Sequence, residues 1–233
     1  MIKKTGILFL LTFAFFAGQS QVLISLLLGD KLNSDKIEFG LDGGINHSQM
    51  SGFESSKMLS TFNIGFYFDF KLKNQLYLNT GVLIKSNVGL DNLTPKDISI
   101  LDTASVYLSG GNYSQKLSYF HVPVALKYRF KNHFYVYAGP QFALRNKAFL
   151  IFKGKQNNKE VEIKTDNRDL FTRLEVAAIA GVGYKLRKGT GMNIGVKYFY
   201  GLTNIFKDDY FNARNSSLYV YMGIPIGRKK PAE

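Results

Sequence analysis

A chain of 233 residues with a formal net charge of +13 has room for one barrel or for one to two ordinary domains, and its basic balance suits an anionic surface. The absence of cysteine excludes disulfides, thiolate metal sites and a lipidated N-terminal cysteine together. No Lys/Arg run carries base-stacking aromatics on the same strand face, so nucleic acid is set aside as a partner.

The first residues read as an export signal. Met1-Ile2-Lys3-Lys4 is a short positive region, and Gly6 to Ala17 is an apolar run of signal-peptide length. Ala17, Gly18 and Ser20 supply small residues for cleavage near Ser20–Gln21. A membrane-crossing helix needs about 20 apolar residues, which this run reaches only across Gly18-Gln19-Ser20-Gln21. The expectation is a signal peptide over 1–20 and a periplasmic segment over 21–35. Within that segment Val22 to Leu32 lacks strand alternation and suits a short amphipathic helix or an extended arm.

From Lys36 the chain alternates. Ile37, Phe39, Leu41 and Ile45 stand against Glu38, Asp42 and Asn46 in a first strand, and a polar stretch, 47–57, follows. The second strand sets Phe62, Ile64, Phe66, Phe68 and Phe70 against Asn63, Gly65, Tyr67, Asp69 and Lys71. A short turn at 73–75 leads to a third, Leu76 to Ser86, with Lys85 opposite the apolar row, and a long polar loop spans about 87–114. Strands four and five form a long hairpin from Leu117 to Arg145. Phe120, Val122, Val124, Leu126 and Tyr128 make its apolar row, continued by Phe134, Val136, Phe142 and Leu144. Side chains alternate across a strand, so this period of two predicts strands long enough to cross a bilayer.

Lys147 to Asp169 is long and charged, with Phe149–Phe152 and Val161–Ile163 expected to extend the hairpin beyond the membrane. Strand six runs Phe171 to Leu186, strand seven Met192 to Leu202 and strand eight Ser216 to Ile226. The spacing therefore predicts an all-β, eight-stranded antiparallel up-and-down barrel over 36–228, with a basic tail at 229–233.

A soluble barrel would bury the apolar row and a membrane barrel would face it to lipid. The large apolar side chains lie opposite Lys71, Lys85, Lys127, Lys185 and Lys197. Unpaired in a dry core, such cations cost several kcal/mol each. The apolar row is therefore expected to meet lipid, and outer-membrane lipid is the expected partner. Connections alternate long and short. Short turns and both ends are expected in the periplasm, with the long segments outside the cell.

The motifs Tyr119-x-x-x-Pro123-x-x-x-Lys127-Tyr128, Tyr137-Ala138-Gly139-Pro140, Gly181-x-Gly183-Tyr184 and Gly201-Leu202-Thr203-Asn204-Ile205, in this order, resemble the PorT-like outer-membrane β-barrel family of Bacteroidetes. The resemblance implies an outer-membrane barrel fold and location, with a link to type IX secretion through the family's founding member. It implies no catalytic residue.

Charged residues give two candidate sites. Asp42, Asp69 and Glu175 are expected to meet Lys71, Lys85, Lys127, Arg129, Arg145, Lys185 and Lys197 in a lumen network that fills the barrel, since eight strands enclose just enough space for side chains. On the outer segment Lys153, Lys155, Lys159, Lys164 and Arg168 are candidates for binding lipopolysaccharide, polysaccharide or another outer-membrane or secretion protein. His47, His121 and His133 are too dispersed to share a metal, no nucleophile adjoins His121, and no cofactor motif occurs. The expected function is that of a non-enzymatic, monomeric anchor or interaction platform. A small anion-preferring pore and an accessory of a type IX-like secretion system are the alternatives.

Overall fold

The computed structural model describes residues 34, 36–101, 110–156, 159–207 and 211–226. Its strands are β1 (Ile37–Met50), β2 (Lys57–Lys73), β3 (Leu76–Asp91), β4 (Gly111–Arg129), β5 (Phe134–Gln156), β6 (Lys159–Asp166), β7 (Leu174–Lys185), β8 (Asn193–Gly201) and β9 (Asn215–Pro225). Their order is β4-β3-β2-β1-β9-β8-β7-β5, and β5 returns to pair with β4, so eight strands close a ring. All pairings are antiparallel, and the β4–β5 closure leaves the ring no free edge. The ninth strand, β6, pairs among the described residues only with the far extension of β5. The expected leader (1–20), nearly all of the 21–35 segment and the basic tail lie outside the described residues.

Alternation sets the wall. Leu126 and Phe134 are each 53% exposed on the outside, whereas Tyr135 and Lys185 are fully buried within. From Phe120 to Phe130 the outward row of β4 spans ten residues. At about 3.4 Å per residue and a tilt near 45° that is roughly 24 Å, close to the apolar band of a membrane barrel. The band ends at the short turns in paired aromatic rings, Tyr128 with Phe130 and Phe134 with Tyr184, each pair with centroids 5.0 Å apart. The tight turns use left-handed backbone at Asn74 (φ 44°) and His133 (φ 69°).

The strands run further outward than the polar loops at 47–57 and 87–114 suggested. Above the band the inward and outward positions of β4 keep their parity, but the apolar residues move to the inward row. Tyr113 and Leu117 point inward, while Ser114, Lys116 and Ser118 point outward. Here the outside is water and the inside is an apolar core of Val88, Leu90, Tyr113, Leu150, Phe152 and Phe171. Such a stretch reads as polar because its lipid-facing row is gone. Strand six is also shorter than predicted: β7 starts at Leu174, and Phe171 instead bridges to Phe206 within this outer core.

A helix, α1 (Pro95–Leu101), closes the top by burying Ile98 and Leu101. Asp97 fastens it. Its buried carboxylate accepts the backbone N–H of Glu54 (2.8 Å), Ser55 (3.0 Å) and Thr94 (3.0 Å). Burial opposes ionisation of Asp97, but these backbone donors outweigh it and hold its pKa below the ordinary aspartate value of 3.8. A carboxyl lowered on folding stabilises the folded form above its unfolded pKa and loses that contribution as pH falls through the folded one. Protection of the Glu54 and Ser55 amides against hydrogen exchange should therefore hold at pH 5 and be lost only as pH falls through the lowered pKa of Asp97. In Asp97→Asn this acid-dependent step should vanish, with weaker protection at every pH.

Candidate functional site

Inward side chains from all eight ring strands fill the lumen in tiers. Tyrosines supply the bulk, and glycines on the next strand make room for them. A Cβ on Gly181 would meet Tyr137 Cζ at 2.4 Å, and one on Gly183 would meet Tyr135 Cζ at 2.4 Å. Large beside small is how a narrow barrel interior is filled.

The tier nearest the short turns holds two ionic clusters. Asp69 accepts Lys127 Nζ at 2.7 Å, Arg129 at 3.4 Å and Asn79 Nδ2 at 2.7 Å. Lys127 also lies 4.1 Å from the centre of the Tyr135 ring, and Arg129 4.4 Å from that of Tyr77. In the second cluster Lys185 is paired with Glu38, which also accepts the Tyr67 hydroxyl at 3.1 Å, and Asn193 donates to that hydroxyl at 2.9 Å. All three cations, Lys127, Arg129 and Lys185, have opposite charge and hydrogen-bond partners within reach, which is what makes their burial tolerable.

The middle tier is built of phenols. Tyr219 donates to Asp42 at 2.8 Å, and the Tyr135 and Tyr221 hydroxyls are 3.0 Å apart. Lys197 reaches Gln141 Oε1 at 3.5 Å and sits 5.2 Å from the Tyr219 ring centre, with Asp42 as its charged counterpart through space. Between the lower and middle tiers remains a cavity of about 30 Å³, bordered by Asp42, Tyr67, Lys127, Asn193, Lys197 and Tyr221. That is room for a water molecule or two.

In the upper tier His121 stacks between Tyr119 and Phe199, 5.4 Å from each, and its Nδ1 lies 3.0 Å from Ser86 Oγ. Glu175 accepts Asn215 Nδ2 at 2.8 Å. Ser86, His121 and Glu175 are not linked as a triad, since among the described residues the buried Nε2 of His121 and Oε1 of Glu175 each lack a hydrogen-bond partner. Over this tier Arg145 donates to the carbonyls of Thr172 (3.0 Å) and Phe171 (3.1 Å), and the apolar core follows. Among the described residues no three His, Asp or Glu side chains come together as a metal set.

The expected single network is thus divided. Asp69, Lys127 and Arg129 meet, and Lys185 meets Glu38, a residue not singled out beforehand although it shares the inward row with Asp42. Asp42, Glu175, Arg145 and Lys197 occupy higher tiers without a direct ion pair among the described residues. Two expected members are not in the lumen. Lys71 shares the parity of Asp69 but stands beyond the last β1–β2 rung, Ile37 with Phe70, and is exposed. Lys85 is turned outward by a bulge. Ile64 and Gly65 of β2 pair with Lys85 and Leu83, so Ile84 is an extra residue and every later side chain of β3 changes face.

On the outer sheet, Lys153, Lys155, Lys159 and Lys164 are exposed on β5 and β6. Lys153 and Lys164 flank Glu162 at 3.4 and 2.8 Å, and Arg168 is paired with Asp166.

A family model described as outer membrane protein beta-barrel domain matches residues 19–207. Solved structures with a similar fold include Ail, the attachment invasion locus protein of Yersinia pestis, in complex with the heparin analogue sucrose octasulfate. It is 11% identical, covers 82% of this chain and 99% of its own, and has a TM-score of 0.45. OprG from Pseudomonas aeruginosa is 13% identical over 82% of this chain and 93% of its own, with a TM-score of 0.37. AlkL in DMPC bilayers is 11% identical over 86% and 96%, also at 0.37. Among curated proteins, none matches the chain.

Proposed function

This chain belongs to the outer membrane protein beta-barrel domain family, and we propose that it serves there as a closed, non-enzymatic anchor that carries an interaction surface outside the cell. The observation that carries this reading is the filled interior. Ionic clusters, stacked phenols and the Tyr119–His121–Phe199 stack occupy successive tiers, and an apolar core lies over them. Water crosses such a plug poorly, and an ion would have to shed its hydration beside fixed charges.

The long outer segments and β6 form the exposed part, and the short turns face the periplasm after export by the 1–20 leader. In this reading the inward cations hold tiers together and do not line an anion path. Planar-bilayer recordings should show no steady openings from the purified protein. Sustained anion-selective current would overturn the anchor in favour of a pore. The PorT-like motifs support an alternative reading as an accessory of a type IX-like secretion system, through the link of the family's founding member. Co-purification with secretion subunits from crosslinked cells would support that role, and its absence in secreting cells would remove it.

A further inference from the structure

The bulge that turns Lys85 out of the lumen adds it to a basic patch on the outer wall. Above Phe120 the outward row of β4 becomes Ser118, Lys116 and Ser114. Lys116 lies opposite Phe149, Lys153 opposite Asn112, and Lys164 opposite Ile151. Lys85 lies opposite Ile64 on the same outward face. Four lysines from β3, β4, β5 and β6 therefore share one surface, with their spacing set by the ladder. They act on one another: partial burial, then the ammonium groups of Lys85, Lys164 and Lys153, hold the Lys116 pKa below the ordinary lysine value.

Counter-charge is scarce. Among the described residues Glu162 is the carboxylate that reaches the patch, bonded to Lys153 and Lys164. Asp166 is occupied by Arg168, and Asp91 by Lys57 at 3.4 Å and Asn112 at 2.7 Å. Height matters as much as charge. Lys85 stands level with the top of the apolar band, where Phe142 and Leu144 are exposed, and Lys116, Lys164 and Lys153 follow at the levels of positions 116, 114 and 112 of β4. The patch starts at the edge of the band and climbs away from it.

We propose that Lys85, Lys116, Lys153 and Lys164 bind the phosphate-bearing headgroup of an outer-leaflet lipid whose acyl chains lie on Phe120, Phe142 and Leu144. This rests on the outward placement of the outer loops. A soluble polyanion would have no use for an apolar floor directly beneath its charges, whereas an amphiphile requires both. Of the loop lysines predicted from sequence, Lys153 and Lys164 belong to this patch. Lys155 and Lys159 lie further from the band, and Arg168 is committed to Asp166.

The test uses the full-length protein in phosphatidylcholine nanodiscs, with diphosphorylated lipid A as probe and native mass spectrometry as readout. The variant Lys85→Gln/Lys116→Gln/Lys153→Gln/Lys164→Gln should retain lipid A roughly tenfold less well or worse. A control with the same loss of charge at the short turns, Lys71→Gln/Lys73→Gln/Lys131→Gln/Lys188→Gln, should match the wild type. Wild-type protein should hold dephosphorylated lipid A about tenfold more weakly and release the phosphorylated form as salt rises. Equal weakening in both variants, none in either, or equal retention of dephosphorylated lipid A overturns the proposal. Displacement by millimolar inorganic phosphate alone overturns its commitment to a lipid. If the wall variant fails to assemble, the wild-type arms decide. A folded, non-conducting barrel that ignores lipid A sinks this inference only. Steady conductance sinks the anchor reading and leaves the lipid arms intact.

Discussion

Replacing Asp69 with alanine is expected to destabilise the barrel by about 3–5 kcal/mol, because it strands the buried Lys127 and the part-buried Arg129 at once. Lys127 is 3% exposed and loses its 2.7 Å partner, and Arg129 loses its contact at 3.4 Å. Asn79 loses the acceptor of its amide as well. Urea unfolding in lipid vesicles would measure the cost. The double variant Asp69→Ala/Lys127→Met should recover part of it, since the most buried orphan charge is then gone. A single-variant cost below about 1 kcal/mol is what a solvated surface pair shows. That result would mean that water reaches the cluster, and the plugged interior would have to be abandoned.

The second large effect lies on the other face of the wall. Val124→Arg puts a guanidinium near the centre of the outward band and should cost about 2–4 kcal/mol by the same assay. Ser118→Arg, on the same strand and the same face but above the band, should cost about 0–1 kcal/mol. Only a hydrocarbon environment produces that depth dependence. Equal costs at the two positions would show that no apolar phase surrounds Val124, whatever its neighbours.

These two substitutions also mark what was readable in advance. Val124 and its row were legible because lipid demands an apolar side chain at every second position, and Phe62 to Phe70 satisfies the same demand. The lumen was legible only in outline. Asp69 and Lys127 have the right parity to meet, but parity does not say that β3 brings Asn79 between their strands. Nothing local marks Glu38, because its partner, Lys185, lies 147 positions away along the chain. Lys71 has lumen parity but not lumen position, because alternation does not record where a rung ladder ends. The outer core was missed for a different reason: once water replaced lipid outside, Tyr113 and Leu117 turned the apolar row inward and the expected pattern disappeared.

The order of residues alone determined the eight-fold alternation, the lipid-facing row and the alternation of short with long connections, since each is a local response of side chains to lipid or water. Tertiary structure decided which charges meet, because ring closure sets neighbours across strands distant in sequence. It decided too that one additional residue in β3, Ile84, sends Lys85 to the outer wall. A period-two pattern carries no mark of an inserted residue until the adjoining strand supplies the register.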